Sequence, residues 1–304
     1  MFWLPYISTK KMIVIKLQGG LGNQMFQYAI AIILAFKNSE TLLIENRFFE
    51  NQKKSPGFTP RKFELNIFNN NYVKASKKDL STFRSLSLFY KFKKKIGLNY
   101  PKVYNELDFG FQQDVLTLKA PVFLKGYFQS YKYFEGNEKL IKNVFSFRDL
   151  ELDSKNKKIF NKLNKENSIS IHIRRGDYVN DKITENYHGS CTLDYYLEAI
   201  KFIKAKYKNV TLVFFSDDCD WVKVQFKDLP YLKIFIDHNK DENSWKDMLL
   251  MSICKHNIIA NSTFSWWAAW LNNNPRKTII APKKWYTNTE LSISDLIPSQ
   301  WIRI

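Results

Sequence analysis

Cysteine is scarce: three residues, Cys191, Cys219 and Cys254, in 304. Their number and spacing exclude a disulfide framework and a CxxC zinc site, and the usage fits a reducing compartment. Long apolar runs are also missing. The longest, residues 28–36, is half the roughly 18–20 residues of a spanning helix, so no transmembrane helix is expected. The opening Met1-Phe2-Trp3-Leu4-Pro5-Tyr6-Ile7 is apolar but short, with no basic stretch before it and no small-residue cleavage site. It does not read as a signal peptide, and a soluble cytoplasmic protein is expected. No HExxH, GxSxG or usable Cys/His pairing occurs, which excludes metalloprotease and serine-hydrolase readings. No repeat of 20–50 residues is visible. Acidic residues are in deficit, 29 against 47 basic, for a net charge of +18.

The composition that remains is globular. Hydrophobic residues make up 45% and charged residues 25%, close to the averages for packed domains, so a disordered or fibrous chain is excluded. The length suits two domains. Charge is uneven: residues 1–167 carry 29 Lys/Arg against 14 Asp/Glu, and residues 168–304 carry 18 against 15. A basic half of this kind suits nucleic acid, an anionic membrane surface, a phosphate-bearing substrate or a solvated lysine-rich face. The lysine run at 91–95 has Phe89, Tyr90 and Phe92 among it, but no RNP-like, zinc-finger or helix-turn-helix pattern accompanies it, so no nucleic-acid partner is expected. Peripheral contact with an anionic membrane is the preferred reading of the charge.

The clearest seam is the polar run 155–167, which could itself be a helix. After it, short apolar runs at 169–173, 210–215, 233–236, 257–260 and 278–280 read as strands. Helical segments at 193–206, 221–226, 244–254 and 262–271 separate them. That alternation argues for βαβ units and a parallel sheet, a Rossmann-like half. Before the seam, strand 12–17, a glycine turn, helix 23–36 and strand 41–44 begin a second α/β unit. Strand 122–125 and helix 131–144 complete it, and the middle, 46–121, carries no clear pattern.

Four segments carry candidate chemistry. Gly19-Gly20-Leu21-Gly22-Asn23-Gln24 lies between a strand and an apolar helix. It is either a tight turn or a place where backbone and helix N-terminus approach a ligand. No Gly-Lys-Ser/Thr follows, and Met25 replaces the last glycine of GxGxxG, so neither phosphate motif is present. His172-Ile173-Arg174-Arg175-Gly176-Asp177-Tyr178 emerges from the first strand of the second half, where open α/β sheets bind ligands. Alternation puts His172 and Arg174 on one face and Ile171 and Ile173 on the other. The arginine forks suit phosphate oxygens, and Asp177 is expected to pin one of them. In Phe214-Phe215-Ser216-Asp217-Asp218, Asp217 or Asp218 can meet a guanosine, cap the next helix or, as part of a DxD with Asp220, hold a metal. In Asn261-Ser262-Thr263-Phe264-Ser265-Trp266-Trp267, Ser262 or Thr263 would cap a helix whose first N–H groups can hold a diphosphate, with the tryptophans as packing. His188, in a loop, is either a general base or without catalytic role.

In this order these segments, with Ile15-Lys16-Leu17-Gln18 before the first and Lys125-Gly126-Tyr127-Phe128-Gln129-Ser130 between, resemble those of the bacterial α-1,2-fucosyltransferases, glycosyltransferase family 11. They span about residues 12–285. The HxRRxD segment also resembles that of α-1,6- and protein O-fucosyltransferases. The resemblance implies an α/β, GT-B-like fold of two Rossmann-like domains facing across a cleft. It implies an acceptor-side domain over 1–154 and a GDP-fucose-binding domain over 155–304. The implied reaction is inverting transfer of L-fucose from GDP-β-L-fucose to the 2-hydroxyl of a galactose-terminated oligosaccharide or lipid-linked glycan, with no metal or cofactor.

By the same resemblance Arg174 binds the β-phosphate, with Arg175 and Asp177 bracing it. His172 and Asp217 or Asp218 meet the guanosine, and Ser262 and Thr263 hold the diphosphate. Gly20 and Gly22 line the donor, and Asn23 lies near the transferred sugar and the acceptor. Asp177, Glu185 and His188 remain alternatives for the base. Preorganised cationic donors act where charge grows on the departing GDP, so arginine can serve without a divalent ion.

Overall fold

The computed structural model describes residues 11–84, 100–108, 110–148, 152–176, 182–288 and 293–304. The lysine run at 91–95 and the apolar opening at 1–7 lie outside the described residues. The chain divides into two compact units. The first comprises Met1–Gln52, Arg61–Asn66 and Asn70–Phe145, and the second Lys53–Pro60, Ile67–Asn69 and Ser146–Ile304. The excursion at 67–69 is held in the second unit by pairing with 146–148. Asn69 N donates to Ser146 O (2.7 Å), Arg148 N to Ile67 O (2.9 Å), and the Phe68 and Phe147 rings lie 5.2 Å apart.

The first unit is built on a four-stranded parallel sheet, ordered β2-β1-β4-β3. Its strands are β1 (Met12–Lys16), β2 (Thr41–Glu45), β3 (Lys102–Asn105) and β4 (Val122–Lys125). Helix α1 (Leu21–Asn38) joins β1 to β2, and a short α2 (Lys77–Ser81) follows, closed by a Ser76–Asp79 capping box. Met12, Ile13, Val14 and Ile15 are all buried, the continuous apolar run of a strand covered on both faces. Helix α1 stops where Ser39 takes a left-handed conformation (φ 54°) and the Asn38 amide donates to Leu34 O at 2.9 Å. The expected helix at 131–144 is two pieces, a 3-10 turn at Tyr131–Tyr133 and helix α3 (Glu138–Val144). Gly136, at φ +77°, breaks the ladder between them. Strand β3 falls in the stretch where no pattern was legible.

The second unit holds a six-stranded, wholly parallel sheet, ordered β10-β9-β8-β5-β6-β7. Strand β5 is Ser168–Ile173, β6 Thr211–Ser216, β7 Lys233–Ile236, β8 His256–Ile258, β9 Ile279–Ala281 and β10 Ile302–Arg303. Between them run α4 (Ser154–Lys165), α5 (Lys182–His188), α6 (Leu193–Lys206), α7 (Cys219–Phe226), α8 (Trp245–Ile253) and α9 (Thr263–Leu271). The polar run at 155–167 is thus mostly helix α4. Helix α6 buries Tyr195, Tyr196, Ala199, Ile200 and Ile203, a stripe at helical spacing that packs with Ile171, Ile173 and Phe214. Each fully buried Ile or Phe side chain of this kind contributes about 1.5–3 kcal/mol. Ser168, Ser170 and His172 point to the opposite face of β5. There Ser170 Oγ accepts from Asn257 Nδ2 (2.7 Å), and Asn257 Oδ1 accepts from Asn272 Nδ2 (2.8 Å). Among the described residues no helix is long and apolar enough to cross a membrane.

His256, buried on β8, accepts the Thr278 N–H at Nδ1 (3.0 Å) and stacks on Tyr207 with ring centroids 3.9 Å apart. Burial, followed by the Lys206 charge, pushes its pKa down to about 4. The unfolded chain therefore takes up a proton near pH 6.5 that the folded chain refuses until about pH 4. The contribution to stability is complete above pH 6.5 and declines as pH falls towards 4. A fall in Tm across that window that is shallower in His256→Gln than in the parent is the expected result; parallel curves would remove His256 as its source.

Candidate functional site

All six strands of the second sheet run the same way, so the loops after β5, β6 and β8 emerge at one edge. The first carries Arg174 and Arg175, the second Asp217 and Asp218, the third Asn261 and Ser262. Arg174 Nη1 lies 2.8 Å from Asp217 Oδ2, with the side chains only 24% and 26% exposed. Asp217 Oδ1 also accepts the Arg175 backbone N–H at 2.9 Å. Arg175 Nε lies 3.1 Å from Asp218 Oδ2, and its guanidinium sits 3.9 Å from the centre of the Trp221 ring. Each guanidinium is held by a carboxylate, and one rests on an aromatic face as well.

Gly176 is part of the arrangement. A Cβ there would lie 2.7 Å from Asp217 Oδ2 and 3.0 Å from its Cγ, so only glycine lets that carboxylate approach. Asp218 also serves the helix that follows, where its Oδ1 accepts from Trp221 N (3.3 Å) and caps α7. Among the described residues the carboxylates on the two arginines are Asp217 and Asp218, because β5 and β6 are paired in register (Ile173 opposite Ser216) and deliver both loops side by side. Asp177 itself lies outside the described residues, as does the His188 side chain; Glu185 is exposed on α5.

His172 is 7% exposed, its ring 5.8 Å from that of Phe264, and its Nδ1 has no hydrogen-bond partner. Burial lowers its pKa to about 4 against the opposing Asp217 charge, with Arg174 adding to the drop, so the ring is neutral at neutral pH. A buried ring nitrogen without a partner is costly unless a ligand or water supplies one. Ser262 stands at the N-cap of α9 in extended conformation (φ −139°), but its side chain makes no capping bond, contrary to the expected cap. Helix α9 also has no acidic residue in its first turn, so its positive end meets no carboxylate of its own. Thr263 opens the helix. Trp266 and Trp267 are fully buried, and Trp266 Nε1 donates to Leu296 O (2.8 Å), which makes both packing residues.

Asn261 ties this edge together. Its Nδ2 donates to Gly189 O and Trp285 O, both at 3.1 Å, and its Oδ1 accepts from Cys191 Sγ at 3.4 Å. Burial raises the Cys191 pKa to about 11, so it donates as a thiol. Sequence reading missed this clamp and the Trp221 platform. Neither residue type at its position signals the role, which exists only once the strands are paired.

In the first unit the glycine turn leads into α1. Gly19 has φ +79°, Gly20 is the N-cap, and Gly22 is buried inside the first turn. Gln24 is fully buried and serves structure. Its Nε2 donates to Gly19 O (3.0 Å) and Lys62 O (2.8 Å), and its Oε1 accepts from Glu64 N (3.0 Å). Asn23 Oδ1 accepts from Gln129 Nε2 at 3.0 Å. The charged form of the Glu64 carboxylate is favoured by Arg61 and by the Leu21 backbone at the start of α1. Gly20 and Gly22, the residues expected to line the donor, stand at this turn, Gly20 as the N-cap and Gly22 inside the first turn of α1. Among the described residues no group of three or more His, Cys, Asp or Glu is placed to hold a metal ion.

These features have relatives. The α-1,2-colitosyltransferase of Escherichia coli is 35% identical over 305 residues, covering 96% of this chain and 98% of that protein. The O-antigen biosynthesis glycosyltransferase WbnK of Escherichia coli is 35% identical over 307 residues, covering 95% and 99%. Among solved structures, POFUT1 in complex with GDP superposes with a TM-score of 0.50 over 90% of this chain and 98% of its own, at 15% identity, a likeness of fold alone. The fold is thus α/β and GT-B-like, with a parallel sheet in each unit. The profile of glycosyl transferase family 11 matches residues 4–304, and the chain belongs to that family of glycosyltransferases.

Proposed function

We propose that the protein is an inverting α-1,2-fucosyltransferase that moves L-fucose from GDP-β-L-fucose to the 2-hydroxyl of a galactoside without a metal ion. The observation that carries the reading is the double clamp of Arg174 on Asp217 and Arg175 on Asp218 beside an uncapped helix start. As the fucosyl–phosphate bond breaks, negative charge grows on the diphosphate. Arg174 meets it with a guanidinium already fixed in place, and the first N–H groups of α9, with Ser262 and Thr263, meet the other phosphate oxygens. Neutral His172, with Nδ1 unpartnered, suits a contact to the guanosine. The second unit is then the donor side and the first, with Asn23, the acceptor side.

The α-1,2 linkage has support in the colitosyltransferase, whose name carries the same linkage. That relative also favours a second reading, transfer of colitose, a sugar that differs from L-fucose in lacking the C3 hydroxyl. A site built to bond that hydroxyl rejects the deoxy sugar by about 10⁴ or more, whereas one without such a bond separates the two far less. Comparing kcat/KM for the two GDP sugars decides between them: a clear preference for GDP-fucose is expected, and the reverse makes the donor colitose.

Arg174→Ala should keep the fold and lower the transfer rate by about 10²–10³, with parent activity unaffected by EDTA. Turnover unchanged by the substitution would remove Arg174 from the mechanism, and loss of parent activity in EDTA would remove metal independence. Asp217→Asn leaves a side chain that still accepts from Arg175 N but holds Arg174 without charge. A fall of up to about 10² in kcat at near-constant Tm is expected, since small misplacements of a catalytic group cost that much. The excess of basic residues in 1–167 further supports peripheral association with an anionic membrane. Flotation with anionic liposomes at low salt, lost at high salt, is the expected result, and no flotation at low salt would leave only a solvated surface.

A further inference from the structure

Four polar side chains from three segments meet around the turn that opens α1: Asn23, Arg61, Glu64 and Gln129. Buried Gln24 brings the 61–64 segment there through its bonds to Lys62 O and Glu64 N. Arg61 then passes over Gly20, where an added Cβ would lie 3.9 Å from Arg61 Cδ and Nε. Glu64, whose backbone N–H is on Gln24, feels the Arg61 charge and the Leu21 backbone at its carboxylate. The Asn23 amide lies against bare backbone, its Nδ2 only 2.6 Å from where a Gly19 Cβ would stand. One helical turn further on, Gln27 is fully buried. Its Oε1 accepts from Gln18 N (2.9 Å), while its Nε2 has no partner. The root of the turn therefore holds a donor that a bound hydroxyl or water would complete.

The chemistry of this cluster selects its ligand. A diphosphate would have to share the positive end of α1 with the Glu64 carboxylate, and like charges at that distance repel. A neutral sugar has no such conflict. Carboxylate, guanidinium and carboxamide side by side offer both acceptors and donors to neighbouring hydroxyls, each of which needs one of each. Burial raises the Glu64 pKa, opposed by Arg61, the Leu21 N–H and Lys62 in that order, so the carboxylate is partly stripped of water.

We propose that Glu64 and Arg61, together with Asn23, bind the hydroxyl groups of the acceptor galactoside, Glu64 accepting from them and Arg61 donating to the sugar oxygens. The proposal rests on the transfer reading given above and adds two residues that family membership does not assign.

The test separates the two. Glu64→Gln keeps the size and shape of the side chain while its charge is lost; Arg61→Ala removes the partner from the other side. Lactose KM and GDP-fucose KM are measured for both variants and the parent, with Tm. Lactose binding in the presence of GDP is measured by saturation-transfer NMR, which needs no turnover. Expected is a rise in lactose KM of about tenfold or more in each variant, the loss typical of one charged hydrogen bond. The GDP-fucose KM should stay within about twofold and the Glu64→Gln Tm unchanged. Lactose KM unchanged in both variants overturns the proposal and leaves the transfer reading standing. A parent that binds lactose but does not turn over GDP-fucose, with binding lost in Glu64→Gln, keeps the acceptor site and overturns the fucosyl donor. A parent that binds no lactose overturns the galactoside site itself.

Discussion

Asp217 is the constraint on which the site depends. One carboxylate, at the end of β6, takes both the backbone N–H of Arg175 and the guanidinium of Arg174 from the end of β5. The bond to the backbone fixes where the β5 loop leaves the sheet, and the bond to the side chain fixes where the cation points. Both require Gly176, since any side chain there would occupy the space of the carboxylate. A partly buried ion pair returns little net stability, because desolvation offsets much of the attraction. Its value here is orientation. An arginine held in place before substrate arrives need not reorganise as charge develops, and that is how a fixed cation lowers a barrier.

The legible part of the sequence was the part set by local pattern. Helix α6 (Leu193–Lys206) follows its apolar periodicity closely, because its buried face repeats at helical spacing, and strands β4 and β7 follow short apolar runs. Strand β3 was not legible. Lys102 and Tyr104 alternate with exposed Val103 and Asn105 at the sheet edge, so no continuous apolar run marks it. The helix expected at 131–144 failed at Gly136, whose positive φ no periodicity reports. For the site, the arginines, His172 and the acidic pair were legible as chemistry, but their pairing was not. Asp217 is brought to Arg174 by the β5–β6 register, a long-range fact absent from any local window.

Three helix starts give the molecule its charge logic. Helix α7 is capped by Asp218 and carries Asp220 in its first turn, so its positive end is answered within the fold. Helix α1 has a glycine at its N-cap and no acid in its first turn, and the Glu64 carboxylate, which the Leu21 backbone favours in its charged form, comes to that end from a distant stretch of the chain. Helix α9 alone of the three has neither: Ser262 caps nothing, and no acid follows. Aligned peptide dipoles leave about half a positive charge at such an end, and that charge favours an anion. Among the described residues, then, α7 is capped by a carboxylate and α9 has neither a capping side chain nor an acid in its first turn, beside two arginines whose own charges are already oriented. An anion is favoured where α9 opens for that reason, and a further anion is disfavoured where α1 opens, near the Glu64 carboxylate.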